Sequence, residues 1–294
     1  MQIRIQEGLF MSQGWMTHWS DAPLNPPHRK ARSGPVRAAA LTLMAAAALG
    51  AALLAGCSSI PEADDLSLLP VTARYDSSRP FSIDVENKGG SVDVIVNPKF
   101  QRPRVTARVV DFKTGQPVKD EAAAQRKWIS ANLSPRADST LVRVVNTKGA
   151  VEGTGLYIWI TIEVPSCDGV RIRNSAGGVS LKDVGGPIDV ANGYGSGEGG
   201  PITIRTTQRL VDPVTLSTSD GEIFVAMSGR SSGTIDLATV NGPVELRDRT
   251  AQVTNILQTA NTWTGVLNDA SNPIKIRSGG GLVRVEINPD KTQR

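Results

Sequence analysis

The stretch "STSDGEIFVAM", Ser217 to Met227, decides how the chain is read. Apolar and polar residues alternate around Asp220-Gly221, and Asp-Gly between alternating runs is a strong hairpin signal. Taken alone, it is a hairpin of a compact sheet or a tip displaying an aspartate. Its neighbours decide otherwise. Strands starting near Val179, Ile202, Ile223, Val244, Val266 and Val283 each follow a glycine-bearing turn: "SAGG", "GEGG", "SDG", "VNG", "TWTG" and "SGGG". The starts are 23, 21, 21, 22 and 17 residues apart. In most units a first strand lies nine residues earlier, as Val214 does before Ile223 and Ile235 before Val244. A period near 21 residues marks a solenoid.

The apolar pairs supply the reason. Ile223 and Val225 share one face of their strand, as do Ile235 and Leu237, and Val244 and Leu246. One unit cannot bury such a pair. Units stacked about 4.8 Å apart bury a continuous column and pair each strand with the coil above and below. Glycine at the corners supplies positive φ, and Asp220, Asn241 and Asn174 are expected to tolerate the left-handed region there. The stretch "VTNILQTANTWTGVLNDASN" (253–272) departs most from the pattern and is expected to be a bulge or the start of a cap.

The predicted fold class is therefore all-β: one β-solenoid, β-helix-like, over 166–294, behind a β-rich N-terminal cap over 71–165. The cap carries strand signals in "FSIDVEN", "SVDVIVN", "RVTARVVDF", "STLVRVVN" and "LYIWITIEV". One short helix is predicted within it, over Val118–Asn132, with Trp128, Ile129 and Leu133 packing on the sheet edge.

The N-terminus reads differently. Arg29, Lys30, Arg32 and Arg37 lead into "AAALTLMAAAALGAALLAGC", a basic segment followed by an apolar run, the pattern of a secretory signal. Its end, Leu54-Ala55-Gly56-Cys57, resembles the lipobox of bacterial lipoproteins. That resemblance implies removal of residues 1–56, acylation of Cys57 and a short tether over 57–70. The alternative is an uncleaved membrane helix over Ala38–Gly56, a length close to the roughly 20 residues that a bilayer needs. The long leader leaves Met1, Met11 and Met16 as alternative starts. Ser58 after the cysteine fits outer-membrane sorting in an organism with two membranes.

The leader also carries much of the charge. The sequence has 32 Lys and Arg against 28 Asp and Glu, and residues 1–56 contain five of the former and two of the latter. The remainder has a net charge of +1, which gives no support to nucleic-acid binding. Both histidines, His18 and His28, fall in the leader, so the mature chain lacks the usual general base and commonest metal ligand. Cys167 is then without a disulfide partner in the chain and is expected to be a small buried apolar group.

Several stretches together resemble the bacterial "putative adhesin" family of repeated-strand, β-helical domains. They are "VENKGGSVDVIV", the pre-repeat "ITIEVPS", and the turn-strand units "NSAGGVSL", "TSDGEIFV" and "TVNGPVEL", spread over roughly 80–288. The resemblance implies a cell-envelope role without catalytic activity and transfers no site residue.

Candidate sites follow from the layout. "GSGEGG" (195–200) matches a dinucleotide fingerprint formally, but a strand beginning with proline follows it where a helix is required. The corner "NGYGSGEGGP", with Tyr194 and Glu198, is instead a lengthened loop on a solenoid edge, where function often sits. Asp189 and Asp236 point outward and are expected two coils, about 9–10 Å, apart. That separation borders the ~6.5–9.5 Å of inverting glycosidases. Asp220 and Glu222 offer oxygen ligands for calcium, but the next corner has Val240-Asn241 and no matching acid. Trp263, in a turn between two threonines, is the most exposed candidate among Trp128, Trp159 and Trp263 for gripping a sugar.

The sequence thus predicts an envelope lipoprotein without cofactor, metal or catalytic residue. Its partners are the membrane, through the lipid, and an envelope protein or glycan. Tyr194, Glu198, Trp263, Asp189 and Asp236 are its candidate contact residues. The alternatives are a polysaccharide-active β-helical enzyme and a purely structural envelope protein.

Overall fold

The computed structural model describes residues 66–69, 74–111, 113–114, 116–118, 126–148, 155–195 and 198–289. The signal segment, the alternative starts and Cys57 lie outside these residues. In chain order the strands are β1 (Leu66–Ser67), β2 (Phe81–Asn87), β3 (Val92–Val96), β4 (Arg104–Asp111), β5 (Ile129–Pro135), β6 (Thr140–Asn146) and β7 (Leu156–Val164). There follow β8 (Cys167–Asn174), β9 (Gly177–Lys182), β10 (Ile188–Asn192), β11 (Gly199–Arg205), β12 (Val214–Thr218) and β13 (Ile223–Ser228). The last six are β14 (Gly233–Asn241), β15 (Val244–Asp248), β16 (Val253–Gln258), β17 (Thr262–Leu267), β18 (Pro273–Gly280) and β19 (Val283–Asn288).

These strands build two walls. The first runs β16-β17-β14-β18-β12-β10-β8-β2-β6-β5, and the second β1-β4-β7-β3-β9-β11-β13-β19-β15. Each coil enters through the first wall, turns at a glycine corner and leaves through the second. The all-β solenoid-like class is what the structure has. Alternation places the predicted pairs inside: Ile188, Val214, Ile274 and Ile235 stand in register across the first wall, and Ile202, Ile223, Val283 and Val244 across the second. All of these are buried, each apolar side chain contributing about 1.5–3 kcal/mol.

The order of coils is not the order of the sequence. The last coil, β18–β19, inserts between β12–β13 and β14–β15, and β2–β3 likewise lies between β6–β7 and β8–β9. Every coil presents the same inward pair, so an Ile-x-Ile strand packs equally well in either position. With both ends of the repeat tucked inside, antiparallel strands β1, β5 and β16 occupy three of the four outer edges among the described residues. These three edges offer no bare parallel strand as a template for further stacking, and the fourth is β15, parallel to β19.

Other expectations need correction. β17 belongs to the first wall, antiparallel to β14, so Val266 faces Thr234 and is not a second-wall start. It joins β16 through a tight hairpin in which the Thr259 amide donates to the Thr262 carbonyl (2.9 Å), and this hairpin is the predicted cap. The helix over Val118–Asn132 is replaced, where described, by a 3-10 turn (Arg126–Trp128) and strand β5. Ser130, Asn132 and Ser134 are weak helix formers, and "ISANLSP" alternates so that Ile129, Ala131 and Leu133 pack on the core.

The boundary at 165/166 does not divide the walls, because β2 and β3 from the predicted cap pair in parallel with β8 and β9. The end of the predicted tether is docked too, with Leu66–Ser67 antiparallel to β4 and Leu69 buried.

Candidate functional site

One corner of the stack is fixed by a buried polar ladder. Asn146 donates from Nδ2 to Asn87 Oδ1 (2.7 Å), Asn87 to Asn174 Oδ1 (2.8 Å), and Asn174 to Asn192 Oδ1 (3.0 Å). Thr218, Ser278 and Thr239 continue the same register position, their hydroxyls donating to the carbonyls of Gly200, Gly221 and Gly281. Beside the ladder, corner glycines stack backbone on backbone. Gly221 has φ +108°, and a Cβ there would stand 2.7 Å from the Gly200 carbonyl carbon. Asn174, Asp220 and Asn241 do not adopt positive φ. Asn174 is a ladder rung, and at the first two of these turns the positive φ falls on Gly177 and Gly221.

The lengthened corner hangs from this ladder. The amides of Gly193 and Tyr194 both donate to the Asn174 carbonyl (2.8 and 3.0 Å). That fixes the backbone and leaves the Tyr194 ring 61% exposed. It borders a cleft of about 670 Å³ with Glu86, Lys88, Arg171 and Arg173. The arginines here are already matched: Arg171 lies 3.0 Å from Asp84 and 3.9 Å from Glu86, and Arg173 grips Asp189. Glu198 is exposed on the same corner but outside the cleft lining.

Asp189 and Asp236 are not a pair. In register the outward positions run Asp189, Thr215, Lys275, Asp236. The inserted β18 makes the separation three strand spacings, about 14 Å, beyond the ~6.5–9.5 Å that an inverting pair uses. Each carboxylate also has its own arginine. Arg173 binds both oxygens of Asp189 (3.0 and 2.5 Å), and Arg277 donates to Asp236 Oδ2 and to its carbonyl.

Trp263 is 4% exposed rather than open. It stands opposite Leu237, and its ring covers Gly265, where a Cβ would meet it at 2.3 Å. The ring thereby closes the end of the apolar columns. Trp159 is 39% exposed and donates from Nε1 to Asp93 Oδ2 (2.8 Å). Burial raises the Asp93 pKa, and the indole bond opposes that rise. Trp128 lies under the ammonium groups of Lys127 and Lys148, at 5.3 and 5.1 Å. Burial pushes the Cys167 thiol up to about 12, a poor nucleophile. Among the described residues no three His, Cys, Asp or Glu side chains gather as a metal site.

The opposite corner, where second-wall strands turn back, holds a feature that sequence reasoning missed. Two clefts of about 740 and 770 Å³ adjoin there, sharing Lys182, Asp183, Thr207 and Gln208. Lys99, Lys182, Arg205 and Arg230 line them, from the ends of β3, β9, β11 and β13. The sequence signal was a base at or just beyond the end of four successive second-wall strands.

No protein-family model and no curated protein sequence matches the chain. Among solved structures, a "putative cell adhesion protein" from Clostridium sporogenes is similar at TM-score 0.40 and 9% identity, over 71% of this chain and 93% of that one. A "putative adhesin" from Bacteroides fragilis is similar at TM-score 0.24 and 10% identity, over 73% and 94%. At that level of likeness neither transfers a residue or a role.

Proposed function

We propose that this chain is a lipid-anchored cell-envelope protein whose β-stack serves as an adhesin-like, non-catalytic binding module. One observation carries the reading. The outward carboxylates that hydrolysis would need are separated and matched to arginines, while open clefts run along corners of a rigid stack. The buried side-chain ladder and stacked glycine backbones give the corner that carries Tyr194 fixed geometry, so a partner there meets a surface that loses little entropy on binding. The anchor rests on the basic, apolar and Leu-Ala-Gly-Cys succession ending at Cys57. Acylation there tethers the module to a membrane through a lipid.

Two measurements test the two halves. Wild-type cells fed labelled palmitate are expected to yield labelled protein and Cys57→Ser cells none; equal labelling removes the anchor. The full-length protein in mild detergent is expected to capture an envelope glycan or protein and to release no product from a panel of polysaccharides. Turnover that Asp236→Asn abolishes would make it an enzyme.

A further inference from the structure

We propose that the return-corner groove binds a linear acidic polysaccharide, whose carboxylates meet Lys99, Lys182 and Arg205. This rests on the binding-module reading and names its ligand class. Lys182 and Arg205 end the adjacent second-wall strands β9 and β11, and Lys99 follows β3, the neighbour of β9 on its other side. Lys182 and Arg205 thus stand about one strand spacing apart, and Lys99 follows three residues beyond the end of β3. Lys182 and Arg205 are register partners.

The pairing of charges sets this groove apart from the arginines of the outer faces. Arg143, Arg171, Arg173 and Arg277 on the first wall, and Arg247 and Arg284 on the second, each hold a carboxylate. Lys99, Lys182 and Arg205 make no ion pair among the described residues. Asp183, the acid that lines both clefts, makes no ion pair with these bases; its Oδ1 accepts from the Thr207 amide (3.1 Å) and hydroxyl (3.0 Å), bracing the corner. Arg205 lies 4.6 Å over the Phe224 ring, which holds the guanidinium in place.

The rest of the lining selects among polyanions. Thr207, Gln208 and Asn97 offer hydroxyl and amide groups suited to sugar hydroxyls. Grooves for single-stranded nucleic acid add aromatic side chains on which bases stack. Among the described residues, no aromatic side chain lines either cleft. The positive charge is local, on a mature chain near neutrality.

The test titrates full-length protein in neutral detergent with fluorescent polygalacturonate, with its methyl ester, and with a single-stranded oligonucleotide of matched length. Saturable binding of the acid form is expected, with the ester at least about ten-fold weaker. Lys182→Ala/Arg205→Ala is expected to lose about ten-fold, from two exposed ion pairs, while Lys275→Ala on the first wall binds as wild type. Raising salt from 0.1 to 1 M, which shortens the Debye length from about 10 to about 3 Å, is expected to weaken binding. Equal affinity for acid and ester, tighter binding of the oligonucleotide, or an unchanged double variant with an unchanged melting curve overturns the proposal. If the double variant fails to fold, the ester and salt arms on wild type decide. Envelope capture that persists without polygalacturonate binding removes this ligand and leaves the module standing; loss of both removes both.

Discussion

Asn174→Leu is expected to lower the free energy of unfolding by about 4 kcal/mol, read as a shifted urea midpoint at unchanged slope. The residue is fully buried, and its amide makes three contacts. It accepts from Asn87 (2.8 Å), donates to the Ala176 carbonyl (2.8 Å) and donates to Asn192 Oδ1 (3.0 Å). Leucine leaves the Asn192 oxygen and the Ala176 carbonyl without these donors. Each buried polar atom so orphaned costs about 1–3 kcal/mol, and the lost bonds add to that. Against a total stability of roughly 5–15 kcal/mol this is a large share. A change below about 1 kcal/mol would mean that the ladder is not continuous through this rung.

Gly221→Val is expected to cost about as much, for a different reason. A side chain at φ +108° carries a conformational cost of order 1–3 kcal/mol, and moving the Gly200 backbone from 2.7 Å adds about 1–3 kcal/mol. Gly195→Ala separates the two terms. Gly195 also has positive φ (+87°), but nothing lies within 4 Å of its Cβ position. Its variant is expected to lose only about 1 kcal/mol of conformational origin. Equal losses at the two positions would show that stacking of the corner glycines contributes nothing.

The residues in "STSDGEIFVAM" show what was legible. Period two placed Ile223 and Val225 in the core, and the glycine turn placed Asp220 outside with its carboxylate on its neighbour's amide (2.9 Å). The periodicity of a strand fixes which face is buried, but not which strand lies beside it. All coils carry interchangeable Ile/Val pairs, so the insertion of β18–β19 was invisible, and with it the true separation of Asp189 and Asp236. Trp263 was misread because its burial depends on Gly265 and Leu237, brought near by an antiparallel hairpin. The asparagine ladder was legible and overlooked: Val144-x-Asn146, Val85-x-Asn87, Ile172-x-Asn174 and Val190-x-Asn192 repeat one spacing. The basic groove collects residues over 130 positions apart in sequence, so no local pattern displays it.

The inserted coil is the central claim, because it sets the outer face and parts Asp189 from Asp236 by three strand spacings. Cysteine pairs test it directly. Thr215 and Lys275 are exposed register partners on adjacent strands, about 4.8 Å apart, within the 4.4–6.8 Å that a disulfide spans. Thr215 and Asp236 have β18 between them, which makes about 9.6 Å, too far to bridge. Under mild oxidation, Thr215→Cys/Lys275→Cys is expected to form an intramolecular disulfide and Thr215→Cys/Asp236→Cys none. The reverse result, a bridge between 215 and 236 alone, would restore sequential stacking and contradict this account.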